Sequence, residues 1–204
     1  MERQMRLTLP IQIRKSENPN EMLVEGYAFK YNSETVLYER PDGFQYREII
    51  EKGALDNADI KDVPFKYNHD DSVMIVARTR NGSLELIEDD IGLKIKARFI
   101  DTQTGRDLYK MIQEQLIDKM SFAFTEGNES VDEYSETYML HRIKSFKRIW
   151  DVSAVDIPAY DSTEIYARSI AQLESKAKQV LERTMQVKRQ RLRLKYKIDN
   201  LLED

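Results

Sequence analysis

A chain of 204 residues and 24.1 kDa, 41% hydrophobic and 33% charged, has room for one sizeable domain with a closed core plus an appendage, and is too apolar for wholesale disorder. It has no cysteine and only two histidines, His69 and His141, which excludes disulfides, Cys-ligated zinc, iron–sulfur clusters and a thiol nucleophile, and leaves histidine chemistry two addresses. The net charge of −4 conceals an asymmetry: residues 1–170 carry 31 acidic and 23 basic side chains, whereas residues 171–204 carry 5 acidic and 9 basic ones. An acidic body is a poor nucleic-acid binder, so nucleic acid is not an expected partner, and only the tail would attract an anionic one. No window approaches roughly 18 consecutive apolar residues, so no membrane span is expected. The start, MERQMRLTLPIQIRK, does not read as a secretory signal, and a cytoplasmic setting is the expectation.

In chain order, the body reads as a series of short strands. Leu7, Leu9, Ile11 and Ile13 alternate with polar residues, the period-2 pattern of a half-buried strand, and Pro10 points to an edge position. EMLVEGYAFKY (21–31) follows, with Gly26 as a candidate bulge, then FQYREII (44–50), VPFKYN (63–68), VMIVAR (73–78) and SLELIE (83–88). Asn81-Gly82 supplies a hairpin signal between the last two. The clearest strand interleaves Leu93, Ile95, Ala97 and Phe99 with Lys94, Lys96 and Arg98. A helix over 105–117 is predicted from a capping box at Thr104 and Asp107 and a stripe of Leu108, Met111, Ile112 and Leu116. Ser121 opens an apolar strand, and 143–155 supplies one or two more, with Trp150 expected in the core. The pattern predicts an α+β fold: a mostly antiparallel β-barrel carrying helix, over residues 1–169.

Residues 170–204 differ. Every Gly and Pro precedes residue 159, and positions 170, 173, 177, 180, 184, 187, 191, 194, 198 and 201 step by three and four with apolar side chains except at Thr184 and Arg191. This is a heptad seam and predicts a long C-terminal helix that pairs with another chain, its two polar defects keeping the pairing conditional. A surface helix docked on its own body is the competing reading.

Few residues could carry chemistry. The glycines are scattered singly, so a phosphate loop is unsupported, and Asp89-Asp90 in EDDIG reads as a solvated turn rather than a metal pair. No cofactor or metal is expected. His69, in YNHDD at a strand end, and Ser121, in DKMSFAF, suit a hydrolytic arrangement, because a serine hydroxyl needs a base that only His69 or His141 can supply.

FKYNHDDSVMIVARTRN, GLKIKARF, KMSFAFT and WDVSAVDIPAY occur in that order. Together they resemble the prohead (capsid maturation) serine proteases of tailed bacteriophages: an NHD-type histidine motif, a Gly-Leu strand, an S-F-G-F-like serine motif and an acidic-V-S-x-V-x-x-P-A-Y segment. The resemblance covers roughly residues 7 to 168. It implies a barrel ringed by helices like that of the herpesvirus assembly proteases, and cleavage of scaffold or capsid-protein extensions inside the immature shell. It implies Ser121 as nucleophile, His69 as general base and Asp151 as the group that orients His69. The herpesvirus enzymes use a second histidine instead, which makes His141 the alternative third member. Asp151 otherwise reads as a surface carboxylate paired with Arg148 or Lys147. One departure is Ala123, where the family pattern has glycine.

The expected function is therefore a serine endopeptidase of phage prohead maturation. It would act on major capsid or scaffold protein, and on itself, within the assembling procapsid in the host cytoplasm, and it would self-associate. On this reading ARSIAQLESKAKQ (167–179) is a candidate segment for self-cleavage. The alternative is a non-enzymatic capsid-assembly or scaffold protein acting through a coiled-coil tail.

Overall fold

A computed structural model describes residues 4–16, 18, 20–156, 182, 183, 185–191 and 193, the side chains of 4–9 excepted. The chain divides into two compact units, Met1–Ser162 and Thr163–Asp204. The first is mostly β: β1 (Gln4–Ile13), β2 (Met22–Lys30), β3 (Thr35–Glu39), β4 (Gln45–Ile50), β5 (Pro64–Tyr67), β6 (Ala77–Arg78), β7 (Leu84–Glu88), β8 (Gly92–Phe99), the helix α1 (Gln103–Gln113), β9 (Lys119–Glu126), β10 (Val131–Tyr134), β11 (Tyr138–Ile143) and β12 (Phe146–Val155).

Eight strands form one sheet in the order β6-β5-β12-β9-β1-β2-β8-β7, and four form a second, β10-β11-β4-β3. Pairing is antiparallel except between β12 and β5 and between β11 and β4. The large sheet curls into a nearly closed barrel: Ile100, just past β8, donates its N–H to the carbonyl of Val76, just before β6, at 2.9 Å. Aromatic side chains fill the interior. Phe29, Phe122, Phe124 and Phe146 are almost wholly buried, and the rings of Phe29 and Phe122, and of Phe124 and Phe146, lie 5.0 Å apart. Burying each ring stabilises the fold by roughly 1.5–3 kcal/mol.

Several expectations give way to tertiary context. Pro10 lies in a central strand between β9 and β2, tolerated because the β1–β9 register slips between Leu7 and Pro10. Gly26 is not at a bulge; a Cβ there would come within 3.0 Å of the Pro10 carbonyl, so glycine permits close strand approach. Asn81-Gly82 turns the chain through a 3-10 turn at Thr79–Asn81, with Gly82 at φ 70°, but joins β6 and β7, which pair with β5 and β8 and not with each other. The strand expected over 73–78 shrinks to β6, with Met74 70% exposed. The helix starts earlier, capped by Thr102 accepting from the Gly105 N–H at 3.1 Å, because Gly105 packs against the Ile100 carbonyl where a side chain would not fit. It stops at Gln113, Gln115 takes φ 58°, and Leu116 is left exposed while Ile117 is buried instead.

The ring of helices implied by the resemblance is not seen: among the described residues of this unit α1 is the one α-helix, and the barrel is accompanied by a small sheet. In the second unit the described residues 182, 183, 185–191 and 193 are helical and exposed, Val187 of the seam among them. The remainder of the helix expected over 170–204 lies outside the described residues, as does the segment 167–179.

Candidate active site

The site is built on β9 and β12, neighbours in the barrel wall. Met120, Phe122 and Phe124 of β9 point into the core, so Ser121, Ala123 and Thr125 share the outer face. Residues directly opposite in the ladder share a face, and Ser121 is opposite Ser153 of β12. Between Ile149 and Asp151 the register slips: Ile149 faces Phe124, whereas Asp151 faces Ala123, and Trp150 is the extra residue. Without this bulge Asp151 would fall on the core face with Ile149. The slip turns it over to the face that carries Ser121.

β5 runs parallel to β12 on the other side, with Tyr67 opposite Ala154. Beyond Tyr67 the chain reverses through two residues in the left-handed region, Asn68 at φ 51° and His69 at φ 57°. Non-glycine residues pay for that conformation, and here polar contacts hold it. The Asn68 N–H donates to the Ala154 carbonyl at 3.0 Å, Asn68 Nδ2 donates to Asp156 Oδ1 at 2.8 Å, and the Tyr67 hydroxyl donates to the other Asp156 oxygen. The reversal folds His69 back over β12, where its own N–H donates to Ser153 Oγ at 3.2 Å.

His69 Nε2 lies 2.6 Å from Ser121 Oγ, and His69 Nδ1 lies 2.5 Å from Asp151 Oδ1. Ser121 is 4% exposed and Asp151 is fully buried. An ionised carboxylate only accepts hydrogen bonds, so Nδ1 carries the proton and the Nε2 lone pair faces the serine hydroxyl. Asp151 Oδ1 also accepts from the Ser153 hydroxyl at 3.1 Å, and its Oδ2 lies 3.8 Å from the ammonium of Lys66, which pairs in turn with Asp71. These partners offset the cost of burying the carboxylate. Chemically the group is an alcohol with a base in contact and a buried anion behind the base, the arrangement that activates a hydroxyl for attack on a carbonyl.

Thus the structure brings Ser121, His69 and Asp151 together. His141 lies elsewhere, on β11, with Nδ1 2.5 Å from Asp132 Oδ1 and Nε2 2.7 Å from Glu126 Oε1. Burial pulls its pKa down, but the hydrogen bonds its ring donates to Asp132 and Glu126, with the nearby charges of Glu126 and Glu48, outweigh that and hold it at about 9. Asp151 is not a surface carboxylate, and Arg148 lies near Asp59 instead. Trp150 is not a core residue: expelled by the bulge, it is 37% exposed, donates Nε1–H to Thr125 Oγ1 at 2.8 Å and stacks under Arg148. Ala123 is fully buried beside Asp151 in the ladder, so its methyl stands under the site. Ser153 and Lys66 were not singled out from sequence. The signal for Ser153 was present, since a residue two after Asp151 on a strand shares its face. Among the described residues no cluster of His, Asp and Glu suits a metal ion.

Among known families, the model of the family described as Caudovirus prohead serine protease matches residues 9–176. No curated protein and no solved structure matches the chain.

Proposed function

The chain belongs to the caudovirus prohead serine protease family, and on that premise we propose that it is a serine endopeptidase that cuts scaffold or capsid-protein chains, and its own chain, inside the assembling procapsid. The observation that carries this reading is the contact chain Ser121–His69–Asp151, with one ring nitrogen on the hydroxyl and the other on a buried carboxylate. As Ser121 Oγ bonds to a peptide carbonyl carbon, its proton passes to His69 Nε2. The C–N bond then breaks, the same proton goes to the leaving amine, and an acyl-enzyme remains. Water repeats the sequence: its oxygen bonds to the acyl carbon, Nε2 takes and returns the proton, and Ser121 is released. Asp151 holds the Nδ1–H throughout and stabilises the imidazolium that forms at each transfer. The three side chains supply nucleophile, base and countercharge, and the steps balance without a further group.

The decisive experiment is co-expression with the capsid and scaffold chains of the same virus, comparing the parent with Ser121→Ala by mass spectrometry of the shell proteins. Replacing a hydroxyl by hydrogen on a strand flanked by β1 and β12 leaves the packing of Phe122 and Phe124 in place, so the variant is expected to fold and assemble but to leave every chain full length. Processing that continues unchanged in Ser121→Ala overturns the reading and leaves an assembly protein acting through its tail.

A further inference from the structure

Ser153 faces Ser121 directly across the β9–β12 ladder, so two serine hydroxyls flank the His69 ring. Ser121 Oγ lies 2.6 Å from Nε2, and Ser153 Oγ lies 3.2 Å from Nδ1. The two are not equivalent. Ser153 is fully buried, its hydroxyl donates to Asp151 Oδ1 at 3.1 Å, and its oxygen accepts the His69 backbone N–H at 3.2 Å. An oxygen so engaged, with its proton on a carboxylate, has neither the base nor the access that a nucleophile needs.

We propose that Ser153 is a positioning residue for the Ser121–His69–Asp151 group, tying the carboxylate and the His69 backbone to one point on β12. The inference rests on the protease reading above. Asp151 Oδ1 takes both the Nδ1–H and the Ser153 hydroxyl, while Lys66 stands beside Oδ2. The carboxylate is thereby fixed in rotation as well as in place. The same hydroxyl oxygen anchors the backbone of a residue held at φ 57°, which sets where the ring can swing. Removing it frees the carboxylate to turn toward Lys66 and loosens the turn. Nε2 then spends less time aligned on Ser121, a loss felt in the chemical step and not in substrate binding.

The test uses the full chain and a fluorophosphonate, which needs no knowledge of the natural substrate. Ser121 Oγ bonds to phosphorus, the P–F bond breaks, fluoride leaves, and the hydroxyl proton goes to Nε2. The parent is expected to label on the peptide containing Ser121. Ser153→Ala, with a melting curve showing it folded, is expected to label ~10- to 100-fold more slowly, the size of a lost hydrogen bond to a charged group. Ser153→Thr, which restores the hydroxyl, is expected to recover most of the rate. In the proton spectrum the downfield Nδ1–H resonance of His69 is expected to persist in the parent and in Ser153→Thr and to broaden away in Ser153→Ala. If Ser153→Ala does not fold, Ser153→Cys, similar in shape but a weak donor, takes its place and is expected to label slowly. A folded Ala or Cys variant that labels at the parental rate overturns the inference, as does a label found on Ser153 itself. A parent that does not label, or labels equally as Ser121→Ala, overturns the protease reading instead.

Discussion

Asp151 is wholly buried, opposite Ala123 in the ladder and against His69 and Ser153, and a carboxylate survives there only because charge and hydrogen bonds meet it. That dependence separates the two candidate third members by a substitution that keeps shape. Asp151→Asn preserves volume and leaves an acceptor oxygen, but removes the charge that stabilises the imidazolium and permits the wrong tautomer of His69. Turnover is expected to fall by about 10⁴-fold, the scale seen when a triad aspartate is amidated. His141, held between Asp132 and Glu126 away from this group, makes the opposite expectation: His141→Ala retains the fluorophosphonate labelling rate of the parent. Labelling rates of the two variants beside the parent check both halves. A His141→Ala rate as low as that of Asp151→Asn makes the arrangement Ser-His-His and removes Asp151 from it. The bulge at Trp150 explains why sequence alone left this choice open. Simple alternation from Ile149 puts Asp151 on the core face, and only the slipped register puts it under His69.

Between the elements, His141 on β11 bridges Asp132 on β10 and Glu126 at the end of β9, so one imidazolium joins the small sheet to the barrel wall. Its pKa, raised from 6.5 to about 9, makes the bridge a pH-dependent contribution to stability. A folded-state pKa above the unfolded one means that the folded state binds the proton more tightly. The stabilisation is then complete below the unfolded value and is lost as pH rises through the folded one. The shift corresponds to something on the order of 3 kcal/mol, lost between about pH 6.5 and 9. Urea unfolding of Ser121→Ala across that window is expected to lose this much more stability than the same protein carrying His141→Gln. A parallel decline in both assigns the pH dependence to other groups. The same elements show what was legible in the chain. β2, β8 and β9 were readable because one or both faces are apolar over six residues or more, as in MSFAFT and LKIKARF. β3, β10 and β11 were not, because TVLYE and VDEY are short and half-exposed, and YMLHRI buries a histidine that polarity scales place outside. The parallel β11–β4 pair that creates the second sheet joins segments about ninety residues apart, a contact that local pattern does not encode. The histidine and serine of the site were legible through motifs. The turn that aims the histidine was not, since nothing local distinguishes an Asn-His pair in the left-handed region from one in an ordinary loop.

At the scale of the whole molecule, the proposed action on shell proteins requires that the enzyme be confined, because free activity before assembly would destroy the chains from which the shell is built. The body, matched by the family from residue 9, carries the proposed catalytic group; the family match ends at 176, and most of the basic heptad segment lies beyond it. We propose that residues 171–204 are an assembly address that delivers the body into the growing shell by pairing with an acidic helix of a scaffold or capsid chain. The excess of 9 basic over 5 acidic side chains in that segment gives the encounter electrostatic steering that weakens with salt. Thr184 and Arg191 interrupt the seam, so self-pairing stays weak enough to exchange for the partner. Deleting residues 171–204 is expected to leave a soluble body that melts cooperatively and labels with fluorophosphonate at the parental rate, yet is missing from purified immature shells. Shells from co-expression, with the protease quantified by mass spectrometry against the capsid protein, give the reading. A truncated protein that fails to fold means that the seam is part of the body's own packing and that the helix is a docked one. A truncated protein that folds, labels and is packaged at the parental ratio moves the address into the body, where the exposed side of the small sheet becomes the next surface to mutate.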